Sequence, residues 1–338
     1  MVTQRRPGMN DVARLAGVSH QTVSRVLNDH GNVRPETRDR VLHAIEELGY
    51  RRNLAARALV TQRSGTIGLI TSGNALFGPQ RAMVAIEEAA REAGFFLSLA
   101  TIKRANAHRM SELLDHLLAQ GVEGIVVIAQ QQEVVEALHV FDAPVPVVAV
   151  AQPDTVPTGM LSVNLDQEAG ARLAVRHLAE LGHTEIAHIS GPLDWSDARA
   201  RLDGWKNECS VLGINPVPLI QGDWSSERGY AVGAELIRAG APTAVFAAND
   251  MIALGLIRAL AERGLRVPQD VSVVGVDDVP GASNFIPPLT TVHHRFATLG
   301  AAIMETLLSV IEGRSVADRV IAPQLVVRES TAPPRVNT

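Results

Sequence analysis

Two kinds of hydrophobic pattern divide this chain. Between residues 10 and 48, apolar residues recur at helical spacing. In NDVARLAGVSHQTVSRVLN (10–28), Val12, Ala13, Leu15 and Ala16 give a short first helix one apolar stripe, and Val18, Val23, Val26 and Leu27 supply the facing stripe. Gly17 permits a sharp reversal between them, and Ser19 is placed to cap the second helix. A third helix is predicted over 35–48. Pro35 stands in its first turn, Val41, Leu42, Ile45 and Leu48 form its stripe, and Gly49 stops it.

After residue 65 the pattern changes to continuous apolar runs separated by helical periods. TIGLI (66–70), FFLSLA (95–100), GIVVIA (124–129) and PVVAVA (146–151) read as buried strands, with helices near 79–93, 108–120 and 133–141. The rhythm then repeats. IAHISG (186–191), VPLIQGDW (217–224), AVFAAND (244–250) and VSVVGVDD (271–278) are the strands, and the helices fall near 167–181, 197–212, 226–239 and 251–263. Segment 290–313 holds one more helix, and VIAPQLVVRES (320–330) supplies late strands. Such alternation implies parallel sheets covered on both faces. The fold class is therefore an all-α helix-turn-helix head followed by an α/β body of two doubly wound parallel-sheet subdomains with a cleft between them. Ligands in such folds sit at the carboxyl ends of strands, where Asp223-Trp224, Asn249-Asp250 and Asp277-Asp278 cluster.

The second helix is unusually polar, carrying His20, Gln21, Thr22, Ser24, Arg25 and Asn28. A helix that buries one side and offers amide, hydroxyl and guanidinium groups on the other suits the DNA major groove. Taken alone, the stretch also reads as an ordinary helical hairpin with a solvated face. Charge sharpens the choice. The 338 residues carry a net charge of −5, but residues 1–65 hold 11 Arg against 6 Asp and Glu, and the remainder holds 20 basic and 30 acidic residues. A basic head on an acidic body suits a DNA-binding domain joined to a ligand-binding one. The single cysteine, Cys209, allows no internal disulfide and favours a reducing cytoplasm. Arg5 and Arg6 have no apolar run behind them, so no signal peptide is expected, and no stretch has the apolar length to span a bilayer.

The head stretch, the PETRDRVLHAIEELGY helix and the RNLAARAL linker together resemble the lactose-repressor (LacI/GalR) family of bacterial transcription regulators. ALFGP (75–79), GPLDWSDARARLDGW (191–205), GDW (222–224), AND (248–250), VGVDD (274–278) and PPLTTVHHRF (287–296) extend the resemblance over nearly the whole chain. It implies a DNA-binding domain at 1–52, a hinge helix and linker at 53–64, and a periplasmic-binding-protein-like effector and dimerisation domain at 65–338. Within that domain the N-subdomain would comprise about 65–163 plus 296–323, and the C-subdomain about 164–295 plus 324–338.

The resemblance also implies roles. His20, Gln21 and Arg25 would read bases, and Ser19, Thr22, Ser24, Asn28, Arg34 and Thr37 would hold phosphates. Arg34 replaces the family's usual capping Ser. Asn53, Ala56 and Leu59 would form a conditional hinge helix, with Leu59 wedged into the minor groove; Arg52 replaces the proline usual before it. Arg201, Trp224, Asn249 and Asp277 would contact a small effector, and Leu76, Pro79 and Phe296 would form apolar walls. Each of these also has an ordinary structural reading, with Arg201 pairing with Asp197 or Asp203. Trp195 is a further candidate to flank the ligand, whereas Trp205 is assigned to packing. Against the galactoside-binding pattern of the family, Ile128 replaces an amide, Ala151 an acid, and Met251 and His294 glutamines, so the pocket edges differ.

The expected function is a sequence-specific transcription regulator. It would be a repressor of carbohydrate-utilisation genes, a homodimer on a pseudo-palindromic operator, released by a mono- or disaccharide; a purine-like corepressor is the alternative effector. The chain ends without the heptad segment that would make a tetramer. No catalytic residue, cofactor, metal site or membrane partner is expected. The Asp277-Asp278 and His293-His294 doublets invite an enzymatic reading, but neighbours on a strand face opposite ways. Nucleophile-elbow, phosphate-loop and metal-ligand spacings are missing. A transporter's solute-binding protein shares such a body but not the head.

Overall fold

The computed structural model describes residues 7–27, 33–51, 63–73, 75–103, 106–216 and 219–335. The chain divides into two compact units, Met1–Ser64 and Gly65–Thr338. Asn28 and the hinge residues Asn53, Ala56 and Leu59 lie outside the described residues.

The first unit contains α1 (Met9–Ala16), α2 (His20–Leu27) and α3 (Pro35–Leu48). Gly17 ends α1 in the left-handed region (φ 63°), and the Val18 N–H donates to the Ala13 carbonyl at 3.0 Å. That geometry turns the chain directly into α2, whose first turn Ser19 caps by accepting from the Thr22 N–H at 3.2 Å. The core is Val12, Ala13, Ala16, Val23, Val26, Val41, Ala44 and Tyr50. Leu15 and Leu42, expected in the apolar stripes, are instead exposed. Alanines dominate the buried arc of α1, so this small core closes before the two leucines reach it.

The second unit holds two sheets. The N-lobe sheet has the order β12-β5-β4-β3-β1-β2 and is parallel throughout. Its strands are β1 (Thr66–Thr71), β2 (Phe96–Thr101), β3 (Gly124–Ile128), β4 (Val147–Val150), β5 (Leu161–Leu165) and β12 (Arg319–Ile321). The C-lobe sheet runs β13-β11-β10-β9-β6-β7, with β8 also on β6. It comprises β6 (Glu185–Ser190), β7 (Asn215–Pro216), β8 (Ile220–Gln221), β9 (Ala244–Ala247), β10 (Ser272–Val276), β11 (Thr290–His293) and β13 (Gln324–Val326), of which β13 alone is antiparallel. Alternate side chains enter opposite cores: Ile67, Leu69, Val126 and Ile128 on one N-lobe face, Ile70, Ile125 and Val127 on the other.

Helices α4 (Phe77–Glu92), α5 (Ala107–Ala119) and α6 (Gln132–Leu138) cover the N-lobe. Helices α7 (Gln167–Glu180), α8 (Ser196–Leu212), α9 (Ser226–Arg238) and α10 (Asp250–Ala261) cover the C-lobe, and α11 (Phe296–Ile311) returns to the N-lobe core. The chain thus crosses between lobes after β5, after β11 and between β12 and β13. Of the run expected as a strand at 217–224, the described residues 219–224 hold only the short β8. Gly222 leaves the sheet with its N–H on the Ser190 carbonyl (2.7 Å), and Trp224 adopts a positive φ, so only β8 remains paired. Strands β5 and β11 carry no marked apolar run and were not anticipated. Among the described residues, no helix is long and apolar enough to cross a membrane.

Candidate effector pocket and DNA-reading helix

The cleft edge of the C-lobe is built from loops that follow β6, β8, β9 and β10. Gly191 ends β6, and a Cβ there would overlap the Trp224 indole, so glycine is what lets that ring lie against the strand end. Trp195 caps the start of α8 and meets Trp224 edge-to-face, with centroids 5.9 Å apart at 77°. Further along α8, six residues after Trp195, Arg201 is 5% exposed. Its Nε donates to Gln167 Oε1 at 2.9 Å and its Nη1 to the Ala248 carbonyl. Its Nη2 lies 3.7 Å from Asp277 Oδ1, and its Cζ lies 5.5 Å from the Trp224 ring centroid. Asn249 caps α10, accepting from the Ile252 N–H at 2.8 Å, and its Nδ2 donates to the Trp224 carbonyl at 3.1 Å. Asn249 therefore lines the cavity and also fixes the loop that presents Trp224.

Trp224 (φ 73°), Asp277 (φ 112°) and Asp278 (φ 50°) are the positive-φ non-glycine residues among the described residues, and all three stand at this edge. Conformations of this kind cost roughly 1–3 kcal/mol each and persist where surrounding structure holds them. Asp250 supplies part of that hold. It is fully buried, accepting from Thr291 Oγ1 at 2.5 Å and from the Val279 N–H at 2.9 Å, and it braces the loop after β10. Burial, reinforced by the nearby Asp277 charge, pushes its carboxyl up to about 8. Burial likewise raises Asp277 to about 6 against the opposing pull of Arg201, and raises Asp197.

The N-lobe edge is simpler. Leu76, Phe77, Gly78 and Pro79 line the cavity from the start of α4, and Gln130 lines it from just beyond β3. Gln130 Nε2 donates to Asp197 Oδ2 at 2.8 Å, across the lobes. The cavity between these side chains is only about 40 Å³, well below the range for small-molecule sites, so a ligand needs the lobes to part. Of the residues expected to contact an effector, Leu76, Pro79, Arg201, Trp224, Asn249 and Asp277 converge here. Phe296 does not. It lies in the N-lobe core behind Phe77, ring centroids 6.1 Å apart at 84°, and Phe77 takes the wall position instead. Trp205 packs in the C-lobe core, with Nε1 donating to the Ile186 carbonyl at 3.2 Å. Gln130 and Asp197 were missed as pocket residues. Two signals point to them: Gln130 follows a strand at its carboxyl end, and Asp197 precedes Arg201 by four residues, one helical turn.

In the first unit, Ser19 is exposed just before α2 and His20, Gln21 and Arg25 are exposed on it, while Thr22 and Ser24 are half-buried beside Val23 and Val26. Gln21 and Arg25 are one turn apart and share a face. Arg34 is exposed at the N-cap of α3 and makes no side-chain cap bond, and Thr37 is half-buried in the first turn.

Comparison with known proteins joins the two units. The profile of bacterial regulatory proteins of the lacI family matches residues 8–53, and that of the periplasmic binding protein-like domain matches residues 175–331. The lactose operon repressor of Escherichia coli (strain K12) is 37% identical over 332 residues, spanning 97% of this chain and 91% of the repressor. The HTH-type transcriptional regulator CelR of Thermobifida fusca is 37% identical over 341 residues, spanning 98% of this chain and all of CelR. A crystal structure of the lac repressor dimer bound to operator and the anti-inducer ONPF superposes with a TM-score of 0.85 at 36% identity, covering 97% of this chain and 100% of that one. A CelR–cellobiose complex superposes with a TM-score of 0.69 at 33% identity, covering 96% of this chain and 100% of that one. The chain belongs to the lacI family of bacterial regulatory proteins and is a DNA-binding transcription regulator.

Proposed function

We propose that this protein is a dimeric, cytoplasmic repressor whose operator binding is released by a small neutral sugar. One observation carries the reading: Arg201, Asp277 and Trp224 converge on a small cavity between two lobes, in a chain that opens with an exposed Gln21–Arg25 reading face. A guanidinium and a carboxylate bond hydroxyl groups, and an indole covers the apolar face of a pyranose. Related structures with bound ONPF and cellobiose support this ligand class. The lac repressor dimer on its operator supports a two-fold arrangement, in which two heads read two half-sites.

The protein acts by binding and catalyses no reaction. His20, Gln21 and Arg25 read bases, and Ser19, Thr22, Ser24, Asn28, Arg34 and Thr37 hold phosphates. The hinge role proposed for Asn53, Ala56 and Leu59, with Leu59 as the minor-groove wedge, falls on residues outside the described ones. A sugar touching both lobes favours one angle between them and so disfavours the DNA-bound arrangement. By linkage, operator DNA weakens sugar binding by the same factor, about 1–3 kcal/mol in typical systems. Phe296 acts behind the wall and not on it.

Operator affinity measured by fluorescence anisotropy, with and without each of a panel of mono- and disaccharides, tests the reading. A neutral sugar is expected to weaken operator binding, and Gln21→Ala and Arg25→Ala to weaken it by about 1–3 kcal/mol each and relax base preference. If no sugar changes operator affinity, the effector assignment fails. If both variants read operator as wild type does, the base-reading assignment fails.

A further inference from the structure

The cavity has polar groups that the Arg201–Asp277–Trp224 constellation leaves unused. Gln130 donates one N–H to Asp197, but its Oε1 is buried and has no partner. Trp224 Nε1 is also buried without a partner. Both residues line the cavity, and a buried unpartnered donor or acceptor is costly unless a ligand or water meets it. The backbone fixes this corner firmly. The Ser196 N–H donates to the Gln130 carbonyl at 2.8 Å, the Gln132 N–H to the Asp194 carbonyl at 2.9 Å, and Gln131 bridges Trp195.

Charge sets a second constraint. Among the described lining residues there are two carboxylates, Asp197 and Asp277, and one cation, Arg201. That cation is already engaged by Gln167 and the Ala248 carbonyl. With Arg201 also paired to Asp277 at 3.7 Å, an incoming anion would meet one acid, Asp197, that no guanidinium is left to offset. A hydroxyl group suits the vacant partners, since it donates to Gln130 Oε1 or Asp197 and accepts from Trp224 Nε1.

We propose that Gln130, Asp197 and the Trp224 indole N–H form a hydroxyl-reading corner of the pocket that selects uncharged saccharides and rejects phosphorylated ones. This rests on the sugar reading above. Asp197 determines charge selectivity, Gln130 contributes hydrogen bonding alone, and Trp195 walls the corner.

Calorimetry on the full chain tests the proposal with glucose, galactose, cellobiose and lactose, each paired with its 6-phosphate. In wild type, the neutral sugar that binds is expected to do so at least about tenfold more tightly than its phosphate. Asp197→Asn is expected to weaken the neutral sugar by about 10- to 100-fold and to shrink the phosphate penalty. Gln130→Met should weaken the neutral sugar while leaving the phosphate penalty intact. A neutral sugar bound equally well by wild type and Asp197→Asn, with an unchanged phosphate penalty, would overturn the corner and leave the sugar reading standing. So would a wild type that binds phosphate and neutral forms alike, a comparison that holds even if Asp197→Asn fails to fold by thermal melting. Binding of guanine or hypoxanthine, and of none of the sugars, would overturn both.

Discussion

The two edges of the cleft are built by different rules. On the C-lobe edge three elements are held by that lobe before any ligand arrives: Arg201 by Gln167 and Ala248, Asn249 by the start of α10, and the Asp277 loop by Asp250. Among the described residues, the positive-φ residues other than glycine all stand there. The N-lobe edge offers the apolar start of α4 and one amide, Gln130. One lobe thus supplies a preorganised grip and the other a wall. In such a division, affinity and chemical selectivity come from the rigid side, and closure comes from the plain one.

The largest expected break in that comparison is Arg201→Ala. The guanidinium ties α8, α7 and the loop after β9 together, so its loss should both abolish sugar response and lower unfolding stability by about 3–5 kcal/mol. Denaturant melts with and without sugar check both effects; unchanged stability would mean that the C-lobe edge is not preorganised through this residue. Next is Gly191→Ala. A Cβ there meets the Trp224 ring, so an overpacking cost of about 1–3 kcal/mol is expected together with weakened sugar binding.

A pH titration should give a smaller effect. Burial raises Asp277 to about 6, and a sugar hydroxyl that donates to its carboxylate favours the ionised form. Affinity is therefore expected to rise as pH rises through about 6, by roughly tenfold between pH 5 and pH 7, and then level off. Calorimetry across that window, with Asp277→Asn flattening the profile, checks the sign. The smallest effect belongs to the wall. Leu76→Ala should weaken sugar binding by about 1–2 kcal/mol with little loss of stability, since Leu76 is only partly buried. A loss as large as that of Arg201→Ala would erase the distinction between the two edges.

Periodicity made much of this visible beforehand. Apolar runs located most of the strands, and the spacing of Gly17, Ser19 and the valines located the reading helix. Resemblance placed Arg201, Trp224 and Asp277 in a pocket. Other features were hidden for physical reasons. LSVNL and TTVH form strands because neighbouring strands complete their ladders, not because of their own pattern. Leu15 and Leu42 fit the helical stripe yet stay exposed, because a pattern marks a face but not how far a small core extends across it.

Local chemistry along the chain by itself determined the helix-turn-helix, the strand–helix rhythm and the polar residues at strand ends, since each depends on neighbours within a turn or a pleat. Tertiary structure alone decided which of those ends meet. Gln130 and Asp197 are 67 positions apart and share a hydrogen bond. Phe77 displaced Phe296 from the wall because the return of α11 sets one ring edge-on behind the other. The raised pKa values of Asp250 and Asp277 likewise arise from burial that no single segment imposes, because desolvation is a property of everything packed around a charge.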